Sequence, residues 1–343
     1  MTKIRVVPAA LAAFLLLTAC GSSEEPRTLT GAGATFPYPM YSKWFSEYQK
    51  AHPLVQINYV QQGSGAGISQ VTQGTVDFGA SDQPMTDAQI KKFSESRSTS
   101  VLHFPTVLGA VVPTYNVPGV TEELNFTGAA LAGIFLGKVT KWNDPAIASA
   151  NPGVKLPAEP ITVVHRSDGS GTTFVWTDFL SKVSPEWAAG PGRGAAINWP
   201  AGIGGKGSEG VTGMLKQTAN SIGYTEMIYA VQNKIPMGRV QNAAGKFIQA
   251  TPESVTAAAA SVDVPEDFRL SITNASGDAA YPISSYTWLL IPANFQDASK
   301  REVMVDFLKW MLTTGQGMAP ALQYAQIPQS VIAKEQAAIS LIK

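Results

Sequence analysis

The stretch Ile161-Thr162-Val163-Val164-His165-Arg166-Ser167-Asp168-Gly169-Ser170-Gly171-Thr172 decides the fold class. It opens with a β-branched run of strand length and passes through a turn of Ser, Asp and Gly. Phe174, Val175, Phe179 and Leu180 then supply the apolar face of a helix. Strand, tight turn and helix in that order describe an α/β unit, which predicts a mainly parallel sheet. Two upstream segments use the same device. Val55 to Val60 alternates as a strand and runs through Gly63-Ser64-Gly65-Ala66-Gly67 into a helix carrying Ile68 and Val71. Gly74 would end that helix, and Val76 to Ala80 reads as the next strand. Earlier still, Gly31-Ala32-Gly33-Ala34-Thr35-Phe36-Pro37 precedes a helix with Tyr41, Trp44, Phe45 and Tyr48 on one face.

Such turns have a chemical meaning. The first N–H groups of a helix lack intrahelical partners, and the aligned peptide dipoles favour negative charge there. Glycine lets an anion approach the backbone, and Ser or Thr hydroxyls add donors. Taken singly, each turn is accounted for by ordinary N-capping through Thr35, Ser64 or Ser170. Three of them, one carrying Arg166, point instead to an oxyanion site.

Composition sets the wider bounds. At 343 residues the chain is long enough for two domains. Lys+Arg and Asp+Glu balance at 25 each, so no basic surplus points to nucleic acid. Cys20 is the single cysteine, which excludes a disulfide within the chain and a Cys-based zinc site. His52, His103 and His165 are too scattered to suggest a metal centre, and no cofactor motif stands out. Lys3 and Arg5 precede an apolar run from Val6 to Ala19, 14 residues long, which is too short to span a bilayer and fits a signal-peptide core. Leu17-Thr18-Ala19-Cys20-Gly21 resembles the bacterial lipoprotein cleavage signature. The reading is therefore a signal peptide over 1–19, lipid on Cys20, a tether over 20–29, and an exported, membrane-anchored protein that does not span the bilayer.

Several motifs fail. Gly202-Ile203-Gly204-Gly205-Lys206-Gly207 has dinucleotide-loop spacing but follows Trp199-Pro200-Ala201, and reads as a mobile glycine loop. Lys206 is followed by Gly207 where a phosphate-binding P-loop needs Ser or Thr, and the turns holding Ser64 and Ser170 miss the nucleophile-elbow pattern. His165 and Asp168 lie near Ser170, but local spacing alone does not build a triad. Trp142, Trp187, Trp199, Trp288 and Trp310 suit a stacking cleft or, as the better fit, the core; Trp310 shares a helical stripe with Val303, Phe307 and Met311 that ends at Gly315.

Taken together, the segments 31–37, Val76-Asp77-Phe78-Gly79-Ala80-Ser81-Asp82, Phe104-Pro105-Thr106-Val107, Asp168-Gly169-Ser170-Gly171-Thr172, Trp199-Pro200, Gly204-Gly205-Lys206-Gly207 and Ile222-Gly223-Tyr224 closely resemble the phosphate-specific binding proteins of bacterial phosphate ABC importers. The resemblance runs in order along the expected mature chain. It implies a two-lobed, type II periplasmic-binding-protein fold of α/β class, with mixed, mainly parallel sheets, flanking helices and a ligand cleft between the lobes. Lobe one would hold 30–106 and 284–343, and lobe two 107–283. It puts Thr35, Phe36, Ser64 and Asp82 on one wall, and Arg166, Ser170, Gly171 and Thr172 on the other. By family role Thr35, Ser64, Ser170 and Thr172 donate hydroxyl hydrogen bonds, while Phe36 and Gly171 donate backbone N–H groups. Arg166 brings the positive charge and Asp168 orients it.

The implied protein is a monomeric, non-catalytic binding protein for inorganic phosphate. It would sit in the periplasm or on the outer face of the cell membrane and serve permease subunits with a cytoplasmic ATPase. Two positions depart from the family: Gly65 follows Ser64 where a second Ser is common, and His165 stands where Arg is frequent. By the same resemblance Asp82 tests the ligand, since phosphate carries a P–OH for it and sulfate does not; by spacing alone, Asp82 serves equally well as a cap for the helix Thr86-Asp87-Ala88-Gln89-Ile90. Two other functions stay open. One is a secreted phosphoester hydrolase with Ser170 as nucleophile, and the other a cleft for a different oxyanion or a phosphorylated metabolite.

Overall fold

The structure is a computed structural model that describes residues 26–343. The expected signal peptide, Cys20 and the start of the tether lie outside the described residues. The strands in chain order are β1 (Arg27–Gly33), β2 (Val55–Gln61), β3 (Phe78–Ser81), β4 (Val101–Asn116), β5 (Asn125–Phe126), β6 (Thr162–Arg166), β7 (Ile203–Gly205), β8 (Ser221–Glu226), β9 (Arg239–Gln241), β10 (Phe247–Ile248) and β11 (Ser284–Pro292). Eight of them form one sheet in the order β2-β1-β3-β11-β4-β8-β6-β7, and β10-β9-β5 form a small second sheet. Arg27 to Leu29, expected as tether, are already strand: they pair with β2 from Val55 onward, and Leu29 is buried.

The long sheet is two copies of one pattern joined through β4. In the first half β1 lies parallel between β2 and β3, and β11 runs antiparallel beside β3. In the second half β6 lies parallel between β7 and β8, and β4 runs antiparallel beside β8. Val101 to Ala110 of β4 pair with β11, whereas Val111 to Asn116 pair with β8, so one strand serves both halves. This is the two-lobed α/β architecture of type II periplasmic binding proteins. Where the chain returns, the Val111 N–H donates to the Ile283 carbonyl just ahead of β11 (2.9 Å). β4 is buried over almost its whole length, as a strand covered on both faces must be. Pro105, which cannot donate to a ladder, is accommodated at a bulge, where the register slips between Thr287 and Trp288 and leaves Thr106 as the extra residue.

The glycine turns do what their sequences predict. The helix Ser64–Gln73 ends at Gly74 in the left-handed conformation (φ 75°). Its Gly67 lies so close to the sheet that a Cβ would sit 2.6 Å from the Ala80 carbonyl oxygen, so no larger residue fits without moving backbone. The helix Tyr38–Ala51 buries Tyr41, Trp44, Phe45 and Tyr48 as its spacing requires. Trp142, Trp187 and Trp288 are core residues, while Trp199 and Trp310 are half-buried.

A second expectation, besides the tether's end, is overturned. The segment 202–207 is not a mobile loop: Ile203–Gly205 pair with β6, and Gly207 opens the helix Gly207–Gln217. Three residues with one apolar side chain carry too little alternation to read as a strand. This is a fourth strand–glycine–helix unit.

Glu335 on the helix Gln329–Ala338 is fully buried, and neither carboxyl oxygen has a hydrogen-bond partner among the described residues. Burial pushes its pKa well above the usual carboxyl range. A carboxyl raised in the folded state supports folding below its unfolded value of about 4.3, and that support is lost as pH rises through the folded value. Glu335→Gln should therefore raise the melting temperature at neutral pH, with the gain shrinking toward about pH 4. Thermal melts followed by circular dichroism at both pH values test this; an equal effect at both would contradict it.

Candidate functional site

Arg166 is the last residue of β6 and is buried. Its guanidinium is divided between two tasks. Nε and Nη2 donate to the two carboxylate oxygens of Asp168 (2.8 and 2.6 Å), a forked pair. Asp168 also accepts from the Gly207 N–H (3.0 Å) at the start of the fourth glycine helix. Burial alone would raise Asp168, but the Arg166 hydrogen bonds and charge outweigh it and hold the carboxyl below its ordinary value. The remaining nitrogen, Nη1, reaches the hydroxyls of Thr35 (3.1 Å), Ser208 (3.2 Å) and Thr172 (3.4 Å). These three come from three different glycine turns.

Asp82, just past β3, is also buried. Its Oδ1 accepts from the Thr287 hydroxyl (2.6 Å) and its Oδ2 faces the Ser64 hydroxyl (3.4 Å), whose oxygen accepts the Asp82 N–H (3.1 Å). The β4 bulge supports this arrangement: the Thr106 hydroxyl donates to the Thr287 carbonyl (3.1 Å) and shares a hydrogen bond with the Tyr41 hydroxyl (2.8 Å). Burial pushes Asp82 up to about 8, with the Glu226 charge adding to it and Thr287, Arg166 and Ser64 opposing. Asp82 does not cap the next helix. Thr86 does, in a capping box with Gln89.

On the opposite wall Ser170 is the N-cap of the helix Gly171–Val183 and accepts the Thr173 N–H (3.1 Å). Gly171 lies against Ser64 and Asp82, so that a Cβ on it would sit 2.6 Å from Asp82 Cβ. Phe36 brings backbone: its carbonyl accepts from Tyr324 (2.5 Å), and the Thr35 carbonyl accepts from Tyr229 (2.9 Å). The two halves of the sheet thus meet here, through Thr35 and Ser208 (2.8 Å), Gly65 N–H to the Gly169 carbonyl (2.9 Å), and Gln61 to Glu209 (2.7 Å). Gly65 itself fits this closeness. A side chain there would start 3.2 Å from Gly169 Cα, a tight contact.

The structure therefore brings Thr35, Phe36, Ser64, Asp82, Arg166, Ser170, Gly171, Thr172 and Asp168 into one buried locus. Sequence reading missed Ser208, Glu226, Thr287 and Tyr229. Ser208 was within reach, since it follows a glycine turn at a helix start. Glu226 and Thr287 have no local signal; they arrive by sheet pairing. His165 is no charge donor here: burial lowers its pKa, its ring stacks on Trp199 (centroids 4.7 Å apart), and Nδ1 lies by the Arg166 carbonyl oxygen (3.0 Å). With His165 so placed and Asp168 held by Arg166, the pair does not orient Ser170 as a nucleophile. Among the described residues no group of three His, Cys, Asp or Glu is arranged to hold a metal ion, and no helix is long and apolar enough to cross a membrane.

Chemically, hydroxyls, helix-start N–H groups and one half-committed guanidinium suit a small tetrahedral oxyanion. Two buried acids, Asp82 and Glu226, suit one that carries protons. Similarity to known proteins shows the family. The PBP superfamily domain matches residues 21–314. A phosphate-binding protein PstS of Xylella fastidiosa is 44% identical over 316 residues, covering 91% of this chain and 85% of its own. The PstS of Pasteurella multocida is 42% identical, with 98% and 95% covered. Among solved structures, the phosphate-binding protein of Stenotrophomonas maltophilia superposes with a TM-score of 0.71 at 16% identity, covering 90% of this chain and 93% of its own. A putative phosphate ABC transporter substrate-binding protein of Clostridium perfringens, with bound phosphate, gives 0.64 at 18%, covering 88% and 100%. At those identities the structures speak to the fold.

The contact of Gly171 with Ser64 and Asp82 can be tested directly. Gly171→Ala should fold yet hold the two walls apart, giving a larger radius of gyration in small-angle scattering under conditions where the unsubstituted protein is closed. Equal radii would show that this glycine does not govern closure.

Proposed function

This chain belongs to the PBP superfamily and within it to the phosphate-binding proteins, and from that premise we propose that it captures inorganic phosphate outside the cytoplasmic membrane and hands it to an ABC-type permease. The observation that carries the proposal is the division of the candidate ligand groups between two halves of the sheet: the donors Thr35 and Ser64 and the acceptor Asp82 stand on one, Arg166, Ser170, Gly171 and Thr172 on the other. Each half alone offers a partial shell, so phosphate binds the closed state better and closure follows from that difference. We assign residues 27–110 and 284–343 to one lobe and 111–283 to the other, which moves the expected start from 30 to 27 and the expected crossing from 106/107 to 110/111, because Arg27 to Leu29 pair with β2 and Val107 to Ala110 still pair with β11. We assign Cys20 as the lipid anchor of an exported monomer. The protein binds solute and hands it on without chemistry.

The geometry supports a role for each residue. Arg166 supplies charge through Nη1, while its other nitrogens are neutralised by Asp168, so the local net charge is small and neutral dipoles provide most of the attraction. Phe36 and Gly171 offer backbone N–H groups, and Thr35, Ser64 and Ser170 hydroxyls complete the shell. Asp82 then acts as the gate. In the closed cleft a proton must lie between its carboxylate and a ligand oxygen, because two bare acceptors repel strongly in so poorly solvated a place. Phosphate brings that proton. Sulfate has none, so the proton must come from water, and that becomes harder as pH rises past about 8, to which burial pushes Asp82.

Calorimetric titration with phosphate, sulfate and arsenate tests the proposal as a whole; absence of phosphate binding would end it. Asp82→Asn, whose amide donates as well as accepts, should narrow the phosphate-to-sulfate ratio by about a hundredfold at roughly pH 9, at about 1.4 kcal/mol per tenfold. An unaltered ratio would remove Asp82 as selector. Arg166→Ala should weaken phosphate by about 10–100-fold without abolishing binding, because loss of one charged hydrogen bond is worth about 1.5–3 kcal/mol; complete loss would mean that the charge, not the dipoles, holds the ligand.

A further inference from the structure

Residues 264–270 fall by sequence within the second lobe, yet they are bonded to the first. Val264 and Phe268 are buried. The Lys334 ammonium donates to the Val264 carbonyl (2.7 Å), and the indole N–H of Trp288 on β11 donates to the Phe268 carbonyl (2.8 Å). Phe268 has a left-handed backbone (φ 58°), which a bulky residue keeps only where its surroundings fix it. Arg269 then reaches the loop just past Asp82. Its Nη1 donates to the Met85 carbonyl (3.0 Å) and to Asp87 (2.7 Å), and its Nε donates to Asp267 (2.8 Å). The Met85 N–H donates to His103 Nε2 on β4 (3.1 Å), so this loop is held at both of its backbone groups.

Two residues later the same chain is bonded to the other lobe. The Ser271 and Thr273 hydroxyls both donate to Asp178 Oδ2 (2.6 and 2.5 Å). Asp178 is buried in the helix Gly171–Val183, whose first turn forms the far wall of the anion cleft. Lys182 donates to the Ser271 hydroxyl and the Thr273 carbonyl (2.9 Å each) and lies 3.0 Å from Asp178; Arg193 lies 3.3 Å from its Oδ1. Burial alone would raise Asp178, but the Ser271 and Thr273 hydrogen bonds and the Lys182 charge outweigh it and hold the carboxyl below its ordinary value. An ionised carboxylate with these partners is a firm anchor.

From Arg269 to Ser271 the chain spans at most about 7 Å. The Asp82 loop and the helix behind the opposite wall are therefore joined by a link with no slack, a further connection beside those at 110/111 and 283/284. A crevice of about 500 Å³ lies along it, lined by Met85 of one lobe and by Phe174 and Arg193 of the other, so the link outweighs side-chain packing here. The rest of the boundary is different. Gln61 ends the edge strand β2, and Glu209 lies in the helix after the edge strand β7; they meet through one exposed hydrogen bond (2.7 Å). No covalent link restrains that side.

We propose that residues 264–273 are an interlobe strap, which keeps the Met85 loop beside the helix Gly171–Val183 in every state of the cleft, so that the lobes part only on the edge-strand side where Gln61 meets Glu209. The cleft then opens as a jaw from one side, and ligand enters there. The restraint does not depend on which anion the cleft takes.

The mature chain from Gly21 has no cysteine, so spin labels can be placed in pairs and their separations read by double electron–electron resonance on ligand-free protein. Gln56→Cys with Lys216→Cys spans the edge-strand side, and Ser96→Cys with Ala189→Cys spans the strap side; all four positions are exposed. The first pair should give a broad distribution of distances and the second a narrow one. Added phosphate should shorten and narrow the first and leave the second unchanged. Inserting three glycines between Leu270 and Ser271 adds about 10 Å of slack with every anchor kept, and Asp178→Asn weakens the anchor on the second lobe. Each should broaden the strap pair in ligand-free protein, and either answers if the other fails to fold. Should calorimetry show no phosphate binding, the phosphate reading falls, while the ligand-free distances still decide the strap. Equal spread at the two pairs in the unsubstituted protein, or a strap pair that stays narrow after the insertion, would overturn the proposal.

Discussion

The forked pair between Arg166 and Asp168 is the constraint on which the site depends. A lone guanidinium buried in the sheet crossing would be costly, and a free one would scatter its donors. Asp168 removes both difficulties. It matches the charge, takes two of the three guanidinium nitrogens, and leaves Nη1 aimed at a cluster of hydroxyls. The Gly207 N–H then ties Asp168 to the fourth glycine turn, so the pair also fixes where Ser208 stands. A single ion pair thereby sets the orientation of donors drawn from three separate segments.

The sheet decides what that pair can face. Because β4 is shared, its first ten residues belonging to one half and its last six to the other, the two halves are joined through a strand that is itself in the core. The bulge at Thr106 lets Pro105 sit in this strand and supports Thr287 beside Asp82. Glycines at 65, 67 and 171 remove the bulk that would keep helices from strands or wall from wall. The same residues therefore form the contact between the two halves.

The acids give the locus its character. An oxyanion site built only of cations would accept sulfate and phosphate alike. Here Asp82 and Glu226 lie within the locus, against one cation that is already neutralised. Acceptors of this kind suit a ligand that carries its own protons better than one that carries none.

Much of this was legible in order of residues. Periodicity marked the helices after each of the three glycine turns first recognised, and the resemblance carried by those turns named Thr35, Ser64, Asp82, Arg166 and Ser170 together. Local chemistry is enough for such features, because a helix start, its cap and the glycine before it lie within a few residues of each other. The fourth turn escaped because its strand is three residues long and is stabilised by pairing with β6 instead of by its own side chains. Glu226 and Thr287 escaped for a related reason: neither sits in a local motif, and each reaches the site only when strands far apart in the chain are laid side by side. What the chain order alone determined is the set of anion-ready helix starts. Which hydroxyl gives its proton to which acid was decided only by the tertiary fold, since one hydrogen shared among several oxygens is assigned by distances that no linear spacing contains.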